Sequence, residues 1–327
     1  MVEIRRIDNP LEWDTLVLGN GGHPLQLWGW GETKAQFGWS AHRYSVIDGD
    51  TFLGAAQVLI RKMPWPIGGM AYVPRGPILP NHDHAAVVLS TLSSELKSQR
   101  PAGHGVVVLS IEPDTESWPS CPGWMQAQNR ILPAETIRLD LRLSIEDLQS
   151  SMTKKTRQYI RKSATDLDPI RIGTVDDLEA CFQIYRDTAE RADFALRSDA
   201  YYRAVFENLA EHNRLYIAEK DGAPLAFLWN AESNAVAFEL YGGMNTEGQR
   251  LRANYALKWH AITAAKERGL NIYDLGGLIG DGVSTFKRGW TDADSHLVGT
   301  FDYRLSALYP IYNSLLPAAK KFLKKLR

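Results

Sequence analysis

Only two cysteines occur in 327 residues, Cys121 and Cys181. They lie far apart and have no metal-ligand partner at useful spacing, so neither a disulfide framework nor a cysteine-based metal site is expected, and a reducing compartment is. No apolar run reaches the roughly 18 to 20 residues needed to cross a bilayer. The first twenty residues, MVEIRRIDNPLEWDTLVLGN, lack the apolar centre of a secretory signal, so no cleaved leader is expected. Excess charge is missing too. Lys and Arg total 37 against 38 Asp and Glu, so binding to a polyanion must come from local clustering.

The length is enough for two domains, each burying its own core, and the chain carries a weak internal repeat. HRYSVI, the turn residues Asp48 and Gly49, and FLGAAQVLIRK read as strand, turn, strand. RLYIAEK, Asp221 and Gly222, and PLAFLWN repeat that pattern in the second half. Each hairpin is followed by a strand ending in glycine, near MAYVPRG and VAFELYGG. A helix-length stretch follows, near His84 to Gln99 and near Asn254 to Arg268, and then a closing strand, VVVLSIEP or NIYDLGG. This order is that of GNAT-type acyltransferases, an analogy of fold. The expected architecture is α/β (α+β), with two tandem GNAT-like domains over 1–146 and 147–290. Residues 291–327 would supply a closing strand and a C-terminal helix packing back on the first domain.

Between the halves, LQSSMTKKTRQYIRKSATDLD reads as one helix at about 100° per residue. Leu148, Met152, Thr156, Tyr159 and Ile160 share a face, and Lys154, Arg157, Arg161 and Lys162 lie opposite, with Lys155 at the border. Five cations in nine residues form either a solvated face or a phosphate-holding one. The C-terminal NSLLPAAKKFLKKLR places Leu315, Leu316, Ala319, Phe322, Leu323 and Leu326 at helical spacing, with Lys320, Lys321, Lys324, Lys325 and Arg327 between them. Such a basic amphipathic helix packs back on the protein or meets an anionic membrane surface or tRNA.

Several segments together resemble the FemABX family, from about Pro24 to about Arg304. PLQLWGWGETKAQFGW is similar to a family pattern at Gln26, Trp30, Lys34, Gly38 and Trp39. YVPRGPIL, which contains Arg75, and LSIEP, with Glu112 at an acidic strand end, are two more. The basic linker resembles the segment opening the family's second domain, with Thr153, Lys155, Arg157 and Tyr159 as candidate contacts to a nucleotide-linked precursor. ELYGGMNTEGQRLRANYALKWHAITAAKERGLNIYDLGG and STFKRGW complete the set. No long charged helical hairpin is inserted, so the chain resembles the compact, armless members.

The resemblance implies an aminoacyltransferase of cell-wall biogenesis. An amine on the stem peptide of a UDP-linked or lipid-linked muropeptide would attack the ester of an aminoacyl-tRNA, forming an interpeptide bridge. The ester is already activated, so positioning, proton removal and stabilisation of the oxyanion and leaving oxygen suffice, with no metal or cofactor. Lys34, Lys155 and Arg157 suit the precursor's diphosphate, and Trp30, Arg75, Thr153 and Tyr159 complete that binding set. Lys287, placed in a Gly-bounded loop after a strand, would stabilise charge at the tRNA terminus, with an ion pair to Asp281 or Asp292 as its structural alternative. Glu112 would take the amine proton if burial raised its pKa, although a strand-end Glu is more often structural. Tyr241 and Asn254 would orient the peptide. The expected protein is a cytoplasmic monomer, peripheral to the inner membrane through its C-terminal helix. A CoA-dependent N-acyltransferase is the main rival, but QRLRAN, from Gln249 to Asn254, lacks the glycine of a pyrophosphate cradle. A non-catalytic RNA- or membrane-binding protein would explain the basic patches but not Lys287.

Overall fold

A computed structural model describes residues 1–63, 68–98, 105–278 and 280–315. The chain divides into two compact units, Met1–Ala134 with His296–Arg327, and Glu135–Ser295.

In the first unit, β1 (Val2–Arg6) leads to α1 (Pro10–Gly19). Asn9 starts that helix by accepting the Glu12 N–H, and Pro10 sits where no amide donor is needed. After α2 (Trp28–Gln36), β2 (Ser40–Asp48) and β3 (Thr51–Lys62) form a hairpin turning at Gly49, φ +57°. Then follow β4 (Gly69–Val73), α3 (Ala85–Ser98), β5 (Val106–Ile111) and β6 (Trp124–Gln126). Val88, Leu89, Leu92 and Leu96 recur at helical spacing along α3 and are buried against Tyr44, Val46, Val58 and Leu109 of the sheet.

The second unit opens with β7 (Glu135–Asp140), α4 (Ile145–Ser151), α5 (Lys154–Asp166) and β8 (Arg171–Ile172). The single linker helix expected from the wheel is thus broken at Met152 and Thr153. Thr153 caps the new helix by accepting the Thr156 N–H at 3.2 Å. The unit continues through α6 (Leu178–Ala192), α7 (Asp199–Leu209), β9 (Asn213–Lys220), β10 (Ala223–Glu232) and β11 (Val236–Met244). Asp221 and Gly222, both at positive φ, make the tight turn between β9 and β10. It ends with α8 (Thr246–Leu251), α9 (Ala253–Glu267), β12 (Ile272–Gly277), α10 (Asp281–Arg288) and β13 (Ser295–His296). β14 (Phe301–Arg304) then returns to the first unit.

The two sheets run β1-β2-β3-β4-β5-β14-β6 and β13-β7-β12-β11-β10-β9-β8. Each contains a parallel pair at the corresponding place, β4 with β5 and β11 with β12, as the repeat requires. The division differs from the expected 146/147 boundary because β7 belongs to the second sheet, where it pairs antiparallel with β12, while β14, from the 291–327 segment, pairs antiparallel with β5 in the first. Alternating apolar residues decide this: Ile137 and Leu139 of β7 are buried in the second core beside Leu275. Residues 309–315 begin a helix, and the basic amphipathic segment beyond Leu315 lies outside the described residues. No helix among the described residues is long and apolar enough to cross a membrane.

Candidate active site

The parallel pairs of the two units differ at their ends. β4 and β5 stay paired from Gly69 with Val106 to Val73 with Ile111, where both strands stop. The β11–β12 ladder ends at Phe238 opposite Asp274, and β11 runs on to Met244 paired with β10 alone. On the other edge of β12 the register with β7 shifts between Asp274 and Gly277, a bulge. Gly276 takes φ +73° within it, which a side chain would strain. The fully buried Asp274 carboxylate fixes this bend, accepting hydrogen bonds from Gly276 N at 2.7 Å and Thr136 Oγ1 at 2.6 Å.

The bend turns two carbonyls towards α10. Lys287 Nζ donates to Gly276 O at 3.0 Å and Gly277 O at 2.9 Å. Lys287 is therefore on a helix, not in the loop expected from its flanking glycines, and these bonds run to carbonyls rather than to Asp292. The Asp281 side chain lies outside the described part. Next to Lys287, Lys258 of α9 and Glu239 of β11 form an ion pair with side chains only 6% and 9% exposed. Glu239 also bonds the Tyr273 hydroxyl, which in turn accepts from Asn230 Nδ2 at 3.2 Å. Burial lowers the Lys287 pKa to about 8, with the Lys258 charge adding to that and Glu239 and Asp274 opposing it. Phe286, Tyr255 and Trp290 wall the site in edge-on and stacked contacts 5.1 to 6.1 Å apart.

The six other candidates of the second unit have uneven freedom to bind, and Tyr159 lies against this wall. Tyr159 packs edge-on to Tyr255 at 5.1 Å, with the Arg252 guanidinium 4.3 Å and Lys155 Nζ 5.6 Å from its ring. Lys155 is exposed. Arg157 is turned inward, its Nη1 donating to Gln149 O at 2.9 Å and Met152 O at 2.5 Å, so it caps α4 instead of facing a ligand. Thr153 spends its hydroxyl on the cap of α5 and on Thr156. Asn254 is half-buried in the first turn of α9. Tyr241 lies in an aromatic group with Tyr202, Trp229 and Tyr185, its ring 4.9 Å from that of Tyr202, and burial raises its pKa.

In the first unit, Lys34 stacks on Trp30 at 4.2 Å, and Trp30 is buried. Arg75 is 4% exposed at φ +48°, reaching Pro133 O at 3.4 Å. Glu112 is 1% exposed and accepts from the Tyr72 hydroxyl, Thr300 Oγ1 at 2.6 Å, Leu132 N at 2.8 Å and Ile131 N at 3.2 Å. Four internal donors occupy its oxygens, which makes it an anchor for the 130s loop and β14 and leaves the proton-acceptor role without support. Sequence reasoning missed Glu239, Lys258, Asp274 and Tyr273. The signal was there: a charge inside the apolar strands AFELY and IYDLG, and a Lys on the face of α9 shared with Leu257 and Ala261, is costly unless paired.

The FemAB family pattern matches residues 19–117 and an acetyltransferase (GNAT) domain matches residues 150–288. The chain is 23% identical to a lipid II:glycine glycyltransferase of Staphylococcus saprophyticus, over 93% of this chain and 94% of that one. It is 20% identical to one of Staphylococcus aureus (strain MRSA252), over 95% of each. That alignment spans 405 positions, more than the 327 residues present here, so the relative carries residues with no counterpart in this chain. The crystal structure of FemX superposes with a TM-score of 0.84 at 20% identity, covering 95% of this chain and all of that one. A tandem GNAT protein from the clavulanic acid pathway superposes at 0.52 and 13% identity, over 94% and 99%. With both halves matched in order and nearly the whole length shared, this chain is a transferase of the FemABX family, built from two GNAT units.

Proposed function

We propose that this protein transfers an amino acid from aminoacyl-tRNA to the stem-peptide amine of a lipid-linked peptidoglycan precursor, forming an interpeptide bridge. The likeness to lipid II:glycine glycyltransferases over nearly the full length carries this reading. The precursor amine attacks the ester carbonyl, the bond to the ribose 3′ oxygen breaks, and the proton lost by nitrogen ends on that oxygen. The electrostatic demand is for a cation where oxygen gains charge. Lys287 is the group we assign to it, as an ammonium already oriented by two carbonyls. Lys155 and Arg252, stacked on Tyr159, offer charge for phosphates.

Two features speak against a CoA donor. Arg252, in a left-handed conformation, precedes α9 where a glycine would admit a pyrophosphate. The nearby Gly248 is a packing glycine, since a Cβ there would meet Leu225 O at 2.5 Å.

The test offers mixed radiolabelled aminoacyl-tRNAs with lipid-linked and UDP-linked muropeptides, with and without RNase. RNase-sensitive label in the lipid-linked acceptor is expected, with Lys287→Ala slower by about a hundredfold or more. Label in the UDP-linked acceptor alone would correct the acceptor. Consumption of acyl-CoA with no label in either acceptor would overturn the proposal.

A further inference from the structure

We infer that Asp274 is a positioning residue for Lys287, holding the β12 bulge whose two carbonyls orient the Lys287 ammonium. Rotating the peptides of a strand end so that consecutive carbonyls converge on one ammonium is unfavourable for a regular strand. Here two residues of β12 itself hold it. Gly276 supplies the positive φ, and the Asp274 carboxylate ties the Gly276 amide back across a two-residue span. Thr136 of β7 donates to the same carboxylate oxygen, so the clamp is itself fixed by the neighbouring strand. A Cβ on Gly276 would lie 3.6 Å from Lys287 Nζ and 3.5 Å from Glu239 O, so the bend, the lysine and β11 are in mutual contact.

Charge gives Asp274 a second route to the same lysine. The groups facing Lys287 are Glu239 from β11, Lys258 from α9 and Asp274 from β12. Tyr273 is bonded to Glu239, and Arg138 of β7 stands 3.8 Å behind Asp274. Glu239 and Lys258 are paired with each other, so their effects on Lys287 largely oppose. Against burial, Glu239 is the larger influence favouring the charged lysine, and the Asp274 carboxylate adds to it.

This inference rests on the role given to Lys287 above, but its main readout does not. Lys287 is titrated by trace acetylation of the purified full chain across pH, with labelling read by mass spectrometry and no tRNA or precursor present. Asp274→Asn keeps an acceptor for Gly276 and removes the charge, so the Lys287 midpoint should fall by roughly half a pH unit or more. Thr136→Val keeps the charge and loosens the clamp, so a smaller change is expected. In the transfer assay, Asp274→Asn should lower kcat about tenfold or more with KM within about twofold, because the group positioned acts on the transition state. An unshifted Lys287 midpoint in folded Asp274→Asn overturns the inference. If that variant does not fold, an unshifted midpoint together with unchanged kcat in Thr136→Val overturns it. Absence of transfer by the wild type would sink the functional reading alone, leaving the titration to decide this one.

Discussion

A lysine that titrates near 8 is charged at neutral pH and loses its charge within a range where enzymes are still assayed. If the ammonium stabilises the leaving oxygen, kcat/KM falls as pH rises through about 8. Lys287→Arg, which stays charged, should be slower and show no such descending limb. A wild-type rate that keeps climbing through pH 9 would contradict the charged role. Glu112 makes the opposite kind of prediction. Replacing it with Gln sets an NH2 group against hydroxyl and amide donors and should cost about 2–4 kcal/mol of stability, seen as a lowered melting temperature. Activity per folded molecule should change less than about tenfold, whereas a hundredfold loss would restore it as a base. At this scale the sequence spoke through resemblance for Lys287 and Glu112. For Glu239, Lys258 and Asp274 it held only the cost of a charge among apolar residues, which does not say which distant element supplies the partner.

Elements were the most legible level. Both hairpins announced themselves through Asp-Gly turns between apolar strands, and α3 and α9 as the helix-length stretches that follow them in the repeat. The linker was misread as one helix because Met152 and Thr153 break no periodicity: Leu148, Met152, Thr156 and Ile160 are buried on both sides of the break. What marks the break is Thr153, whose hydroxyl competes for the helix amides. The break also reassigns two cations of one motif. Arg157 holds the last carbonyls of α4, so Arg157→Met should cost about 1–2 kcal/mol of stability with little direct effect on substrate affinity. Lys155 is exposed over Tyr159, so Lys155→Met should leave the melting temperature within about 1 °C and raise KM for the phosphate-bearing substrate several-fold. Unfolding curves and saturation kinetics on the two variants separate these outcomes, and an interchange of the two effects would show that Arg157 leaves its cap to bind ligand.

The exchange of strands joins the two halves of the chain into one folding problem. A cut at the expected boundary would strand β7 in a fragment whose sheet it does not enter, and would deprive that sheet of β14. A weak repeat read along the chain cannot show this, since antiparallel addition to a sheet edge leaves no mark beyond an alternating strand that either half could own. β14 brings more than backbone pairing. Asp302 is buried and accepts from Ser110 Oγ at 2.6 Å and Tyr309 Oη at 2.9 Å, and Thr300 donates to Glu112. A chain ending at residue 295 therefore leaves β5 as an exposed edge and removes one of the four donors to the buried Glu112. Its first unit should lose amide-exchange protection in β4 and β5, while β11 and β12 of the second unit keep theirs. The milder Asp302→Ala, which orphans a buried serine hydroxyl and a tyrosine hydroxyl, should cost about 2 kcal/mol and reduce protection in the same strands first. Equal loss in β5 and β12 for the truncated chain would mean that the units unfold together, and the strand exchange would then be only one part of a single cooperative core.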